Sequence, residues 1–450
     1  MKTLEPLEIP DCFYPTSPTL IPPTTPTPSH SLYLSNLDDQ SFHRFAIKYI
    51  YAYRKSVDIE RLKLSLGQVL VEYYPLAGRL RRACSSHYED KDDDDDDDDQ
   101  KNQKLEVDCN GEGAVFAEAF ADFSVDEFVQ ASSKPNRSWR KLLYRVEGAN
   151  SFLETPPLVV QVTKLRDGGM ILCTGISHCL CDGIGTAQFL QAWAGFARGE
   201  TDSPIRPFHS RCMLKPSMQP KTTTSSHPVF VKAAPEKRCD PQSALDISKY
   251  LQSQPLAPAC VTFSRSQILR LKRRCRVQST GFEVLAAHTW RCWAKSLDLS
   301  PAKLLFSVNV RRRLNPELPP GYYGNGYVLG CAEAPANADL NDLVASIQRA
   351  KSALTDDYVR SAVDLLEDKS ARTDLSSCLV ISQWSKLGLE ELDVGEGKPL
   401  WMGPLTSDIY CLFVPVMGDL NGARVLVSLP QHSVAKFECY MREFLEMKPE

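Results

Sequence analysis

Gly168-Gly169-Met170-Ile171-Leu172-Cys173-Thr174-Gly175-Ile176-Ser177-His178-Cys179-Leu180-Cys181-Asp182-Gly183 decides how the rest of this chain is read. Met170 to Ile176 is an apolar run of strand length. It stops at a histidine, an aspartate follows four residues later, and then a glycine turn. Ile184 to Phe196 has helical spacing, with Ile184, Phe189, Trp193 and Phe196 as its apolar positions. His178 thus sits where a strand gives way to a loop, the place where a rigid scaffold presents reactive side chains. A neutral imidazole, with a pKa near ~6.5, can take a proton from an alcohol or amine at physiological pH. General base catalysis is the chemistry implied. Asp182 orients the ring directly, holds the loop through an arginine, or caps the helix that follows.

Outward from this stretch, Leu158 to Lys164 and Met170 to Ile176 form a hairpin around the turn signal Asp167-Gly168-Gly169. Upstream, residues 1–30 read as extended, because proline fixes φ and cannot donate to a ladder. Ser31 to Leu37 and Phe42 to Tyr53 have strand composition. Asp58 to Tyr74 is an amphipathic helix with Leu62, Leu64, Leu66, Val69, Leu70 and Tyr73 on its apolar face. Leu105 to Phe120 alternates as strands, and Val125 to Gln130 is a short helix. Residues 206–245 are rich in Pro, Ser, Thr and Lys without a sustained period, the composition of a linker.

In the second half a strand at Ala259 to Phe263 leads to Ser264, which caps a basic helix carrying Arg270, Lys272, Arg273 and Arg274. A second helix runs from Gly281 to Ser296. Leu304 to Val310 is a buried strand entering Arg311-Arg312-Arg313, and Pro319-Pro320-Gly321 opens a loop through Tyr323-Gly324-Asn325-Gly326. Residues 339–368 read as helical, 378–382, 408–416 and 423–429 as strands, and 433–446 as a closing helix.

The chain has 450 residues, 43% hydrophobic and 24% charged, a globular profile long enough for two or three domains. Its net charge is −4, and the run Asp92 to Asp99 alone supplies eight negatives, leaving a mildly basic body. That excess suits an anionic co-substrate and is too small to argue for nucleic acid. The Asp run reads as a solvated loop, since it lacks the glycine turn and spaced ligands of a calcium site. Fifteen cysteines, odd in number and irregular in spacing, point to free thiols in a reducing, cytoplasmic compartment. The first 28 residues hold eight prolines and no apolar core segment, unlike a signal peptide, and no transmembrane helix is expected. Cys179 and Cys181 beside His178 lack the second ligand pair of a closed zinc site, so no metal is expected. His288 lies on an apolar helix face and reads as a packed core residue.

Six motifs, in order, carry a resemblance. They are Leu34-Ser35-Asn36-Leu37-Asp38; Tyr74-Pro75-Leu76-Ala77-Gly78-Arg79; His178-x3-Asp182-Gly183; Phe282-Glu283 with Ala287-His288 and Trp290-Arg291; Asn309-Val310-Arg311; and Gly321-Tyr322-Tyr323-Gly324-Asn325. Over essentially its whole length the chain resembles the plant BAHD acyltransferases, and in the 105–195 segment a cuticle-associated branch of them. One motif departs: Asp393-Val394-Gly395-Glu396-Gly397 stands where the family has Asp-Phe-Gly-Trp-Gly, losing both aromatics.

The resemblance implies an α/β fold of two chloramphenicol-acetyltransferase-like domains, each a mixed sheet flanked by helices, with an active-site channel between them. It divides the chain into 1–205, a crossover linker 206–245 and 246–450, with a segment near 398–418 returning to the first domain. It implies transfer of a hydroxycinnamoyl or a fatty or hydroxy-fatty acyl group from coenzyme A to a small-molecule alcohol or amine, with His178 as base and no permanently bound cofactor. Asp182 joins His178 in the catalytic motif and pairs with Arg311. Ser382 and Trp384 are candidates for polarising the carbonyl, with Ser35 and Gly183 positioning substrate. Ser264 and Lys272 are candidates for the coenzyme A phosphates. A monomer is expected. Three alternatives stay in view. One is a non-catalytic scaffold, suggested by the altered 393–397 motif. Another is a cysteine nucleophile at Cys179 or Cys181. The last is a peptide-assembly condensation domain, which would carry a second histidine where Ser177 stands.

Overall fold

The computed structural model describes residues 8–83, 103–218, 226–232, 254–300, 302–335, 338–375, 378–406 and 410–446; the Asp92–Asp99 run lies outside them. In chain order the first nine strands are β1 (Thr19–Ile21), β2 (Ser31–Tyr33), β3 (Ala46–Tyr53), β4 (Arg79–Arg82), β5 (Leu105–Asp108), β6 (Ala114–Ala121), β7 (Leu158–Leu165), β8 (Met170–Ser177) and β9 (Phe230–Lys232). The rest are β10 (Leu256–Phe263), β11 (Ala302–Asn309), β12 (Tyr327–Ala334), β13 (Ala371–Thr373), β14 (Cys378–Gln383), β15 (Trp401–Pro404), β16 (Cys411–Val416) and β17 (Asp419–Pro430).

Two six-stranded mixed sheets organise the molecule, ordered β1-β6-β7-β8-β3-β15 and β10-β17-β16-β14-β11-β12. Helices Ile59–Glu72 and Gly183–Arg198 cover the first sheet. Leu62, Leu66, Val69 and Leu70 are buried on one, Phe189, Leu190 and Trp193 on the other. Leu64, expected on the apolar face, is exposed, since it lies two residues from both Leu62 and Leu66 and so off their face. The two helices are tied by Trp193 Nε1, which donates to Ser65 Oγ at 3.1 Å. Helix Gly281–Ser296 underlies the second sheet. A Thr280–Glu283 capping box starts it, and Trp290 and Trp293 fill the core beneath. This is the two-domain α/β architecture expected from the motifs.

The halves interlock. β15, from the second half of the chain, pairs antiparallel with β3 of the first sheet, from Trp401 opposite Ala52 to Pro404 opposite Tyr49. Tyr323, Trp384, Leu412 and Val414 belong to the apolar cluster under the first sheet. Only the front of the 398–418 segment returns in this way, because β16 pairs with β14 and β17 in the second sheet.

Other expectations shift for local reasons. Strand β2 ends at Tyr33, since Ser35 N and Oγ both turn onto the Asp38 carboxylate. The Phe42–Tyr53 strand starts only at Ala46, because Ser41–His43 winds into a 3-10 turn. β12 follows the Gly-rich loop where no strand was read. Within 206–245, Arg211 is buried, and Phe208 bridges to Tyr322.

Candidate active site

His178 follows β8 directly. The antiparallel pairing of β3 with β8 puts Ala46 opposite Ser177, and one step further the His178 N–H donates to the Phe45 carbonyl at 2.9 Å. The loop after it is held from behind by main-chain carbonyls. His178 O accepts from Asn325 Nδ2 at 2.8 Å, and Leu180 O accepts from Arg211 Nη2 at 2.9 Å.

Asp182 resolves the alternatives left by its spacing. Its Oδ1 accepts from Gly185 N at 2.9 Å and caps the helix. Arg311 also reaches it through both terminal nitrogens, Nη1 to Oδ2 at 2.7 Å and Nη2 to Oδ1 at 3.1 Å. Gly326 N donates to Oδ2 at 3.0 Å. The carboxylate is thus turned to the loop framework and makes no hydrogen bond to the imidazole. Burial pushes the Asp182 carboxyl up. The Arg311 charge and the hydrogen bonds from Arg311, Gly185 and Gly326 outweigh burial and hold it below the usual carboxylate range. Gly326 is required here: a Cβ on it would lie 2.6 Å from Arg311 Nη1.

A cavity of 530 Å³ opens in front of His178 and runs between the sheets. Gly183, Ser382 and Trp384 line it, with Phe45, Tyr49, Tyr327, Tyr410 and Leu412 among its apolar walls. Trp384 lies against Tyr49, ring centroids 4.4 Å apart. A Cβ on Gly183 would press on Leu387 at 3.2 Å, narrowing the wall beside the histidine. His178 is partly open to this space, while its Nδ1 is sealed from solvent and has no hydrogen-bond partner among the described residues. Burial lowers the His178 pKa below the ordinary histidine value. The polar groups of its own backbone and of Asn325, and the charges of Asp182 and Asp38, only partly oppose this.

Three predicted site residues stand elsewhere. Ser35 is buried outside the channel wall, its hydroxyl donating to Asp38 Oδ2 at 2.6 Å and accepting from Asp38 N at 3.2 Å, so it has no donor left for substrate. Ser264 caps the Arg265–Arg274 helix, and its hydroxyl accepts from Gln267 N. Neither Ser264 nor Lys272, on that same helix, lines the channel. Cys179 and Cys181 are buried. Burial pushes both thiols up, Cys181 to about 11, which leaves neither as a thiolate nucleophile. His288 is a core residue, its Nε2 3.3 Å from the Met441 carbonyl.

The residues missed by sequence reasoning surround the loop from the far side. Asp38 accepts from Ser35 N and Oγ, from Arg211 Nε at 3.0 Å, and from Asn325 N and Nδ2 at 2.7 and 2.9 Å. His43 stacks on His178 and bonds Tyr327. Asp38 and Asn325 lay in quoted motifs; His43 had no signal except the register that brings Phe45 to His178. The altered 393–397 element keeps its turn. Asp393 Oδ1 accepts from Gly395 N at 2.8 Å and Gly397 N at 3.0 Å, and Val394 is buried.

The chain is similar to known proteins over nearly its whole length. The sequence profile described as Transferase family matches residues 15–444. The chain is 34% identical over 440 residues to a fatty alcohol:caffeoyl-CoA acyltransferase of Arabidopsis thaliana, covering 94% of this chain and 96% of that protein. It is 32% identical over 452 residues to an omega-hydroxypalmitate O-feruloyl transferase of the same plant, covering 96% and 92%. The fold is similar to the crystal structure of vinorine synthase, with a TM-score of 0.68 and 21% identity over 94% of this chain and 95% of that one. It also matches TRI101 of F. graminearum complexed with coenzyme A and T-2 mycotoxin, with a TM-score of 0.72 and 14% identity over 91% and 97%.

Proposed function

This chain belongs to the Transferase family, the BAHD acyltransferases, and we propose that it moves a hydroxycinnamoyl-class acyl group from coenzyme A to the hydroxyl of a long-chain alcohol, with His178 as the base. The acyl-CoA-dependent transferase activity is that of the family. The choice of donor and acceptor is carried by one observation: a 530 Å³ channel walled by aromatic and aliphatic side chains, with the histidine opening onto it. The caffeoyl and feruloyl transferases named above act on such alcohols and support the same choice.

In this reading the buried Nδ1 leaves Nε2 as the nitrogen facing the channel. Nε2 takes the acceptor's hydroxyl proton, and the oxygen attacks the thioester carbonyl. The tetrahedral oxyanion is met by donors on the β14 side, where Ser382 and Trp384 line the wall. Its collapse breaks the C–S bond, forms the ester, and returns the proton from His178 to the departing thiolate. Both substrates meet in one channel, so positioning lowers the barrier and no acyl-enzyme is needed. Asp182 and Arg311 keep the loop in place and move no proton.

Coenzyme A is a co-substrate here, and no permanent cofactor is invoked. Its phosphates are assigned to the Arg265–Arg274 helix. Channel-lining Lys386 donates to Leu420 O and Asn421 Oδ1, and in the same turn Asp419 accepts from Arg265 N. Ser264 at that helix start is the nearer of the two candidates, Lys272 the more distant along the helix. The halves 1–205 and 246–450, joined by 206–245, form the two walls. No helix of the described residues is long and apolar enough to cross a membrane. The thirteen described cysteines are all free, which fits a cytoplasmic setting, and a monomer is the state we propose.

The non-catalytic alternative loses its one motive, since the 393–397 turn holds without its aromatics. The test is product identification by mass spectrometry from caffeoyl-, feruloyl-, acetyl- and palmitoyl-CoA. Each is offered with hexadecanol, 16-hydroxypalmitate and a short polar alcohol. Caffeoyl or feruloyl esters of the C16 acceptors are expected; esters only of the short alcohol would contradict the assignment.

A further inference from the structure

The channel covers one side of His178. The other face of its ring is covered by a second imidazole that the reaction so far leaves unused. His43 is fully buried, and its ring lies parallel to that of His178, centroids 4.4 Å apart and planes 6° apart. Phe45 meets the same ring edge-on at 5.3 Å. In a Ser-His-Asp arrangement a carboxylate on Nδ1 orients the catalytic ring. Here Asp182 is engaged by Arg311 and two main-chain amides, and His178 Nδ1 has no hydrogen-bond partner among the described residues. Beyond the polar groups of its own backbone and of Asn325, packing holds the base, and the ring stacked flat on it is His43.

His43 is itself fixed. Its Nδ1 lies 3.3 Å from the Asp38 carbonyl, which only accepts, so Nδ1 carries a hydrogen. Its Nε2 lies 2.5 Å from the Tyr327 hydroxyl. Burial, and then the neighbouring His178, push the His43 pKa well below the ordinary value, so the ring is neutral, Nε2 accepts, and Tyr327 donates.

We infer that His43 is a positioning residue for the base: a neutral ring, locked in its Nδ1–H form between the Asp38 carbonyl and the Tyr327 hydroxyl, that holds the His178 imidazole in the orientation its proton transfer needs. This deepens the assignment of His178 as base and depends on it. A loosened ring still leaves the channel its shape, so substrate binding is spared while the chemical step suffers.

The experiment measures kcat and KM by thiol release for the wild type, His178→Ala, His43→Ala and His43→Phe, with a thermal melt for each. His43→Ala is expected to lose about 10–100-fold in kcat with KM changed by less than about threefold, the signature of a misplaced catalytic group. His43→Phe keeps a flat ring and is expected to regain roughly tenfold of that loss. Wild-type kcat in a folded His43→Ala overturns the inference. So does a His43→Phe as impaired as His43→Ala when both melt like the wild type. Should His43→Ala fail to fold, His43→Phe against His43→Leu, similar in bulk without a flat face, makes the same comparison. A His178→Ala that keeps its kcat overturns the base assignment instead, which separates the two failures.

Discussion

Arg211 and Asp38 form an ion pair at 3.0 Å with neither side chain exposed to solvent, and the arginine's remaining nitrogens hold the His209 and Leu180 carbonyls. Asp38 sits near the start of the chain, Arg211 in the stretch between the halves, and Leu180 in the loop that carries His178. One buried pair thus joins three parts of the chain behind the catalytic loop. Removing one partner strands the other charge in the interior. Arg211→Met is expected to destabilise the fold by about 3–5 kcal/mol in urea titrations, whereas Arg198→Met, at a partly exposed position, should cost under about 1 kcal/mol. Equal losses would contradict the role given to Asp38.

Asp182 and Arg311 act through geometry as well as charge. Arg311→Lys keeps the charge and loses the two-pronged contact, so it should recover little of what Arg311→Ala loses. Gly326→Ala, whose methyl group would displace the guanidinium, is expected to resemble Arg311→Ala in kcat. A Gly326→Ala enzyme with normal turnover would show that the arginine's placement is unimportant.

The pH dependence follows from the direction of the His178 shift. A base works when neutral, so kcat/KM rises as His178 loses its proton. Burial lowers its pKa, so the acid limb should have its midpoint below ~6.5 and activity should be level through neutrality. A midpoint above ~6.5 assigned to the free enzyme would contradict the buried, neutral base.

The altered 393–397 element gives an asymmetric expectation. Val394 is buried in the core under the first sheet, while Glu396 is exposed. Glu396→Trp should change melting temperature and turnover little. Val394→Phe forces a larger side chain into filled space and should cost about 1–3 kcal/mol. If Val394→Phe stabilises the protein, a void stands where the structure shows packing.

How much of this was legible beforehand depends on the range of the interaction. The β7–β8 hairpin, the helix after Asp182 and the cap at Ser264 are local, written in period, turn residues and cap residues. Gly324 and Gly326 are loop as read, one supplying a carbonyl to Arg311 and the other an amide to Asp182, but β12 begins directly after them at Tyr327, where the loop reading does not stop. Ser35 sits in a motif that points to substrate, yet its hydroxyl has a nearer partner three residues on. His43 was out of reach for a different reason. Its place depends on which strand pairs with β3, and composition does not say so. Once β8 is that partner, the register carries the chain from Ala46 opposite Ser177 back to His43 over His178.

The central claim, acyl transfer with His178 as base, is met most directly by one comparison. Acceptor-dependent thiol release from caffeoyl- or feruloyl-CoA is measured for the wild type and for His178→Ala, with coenzyme A binding followed in parallel. Release that falls at least about a hundredfold in the variant, with coenzyme A binding kept, is the result expected. Equal release from both proteins would contradict the account.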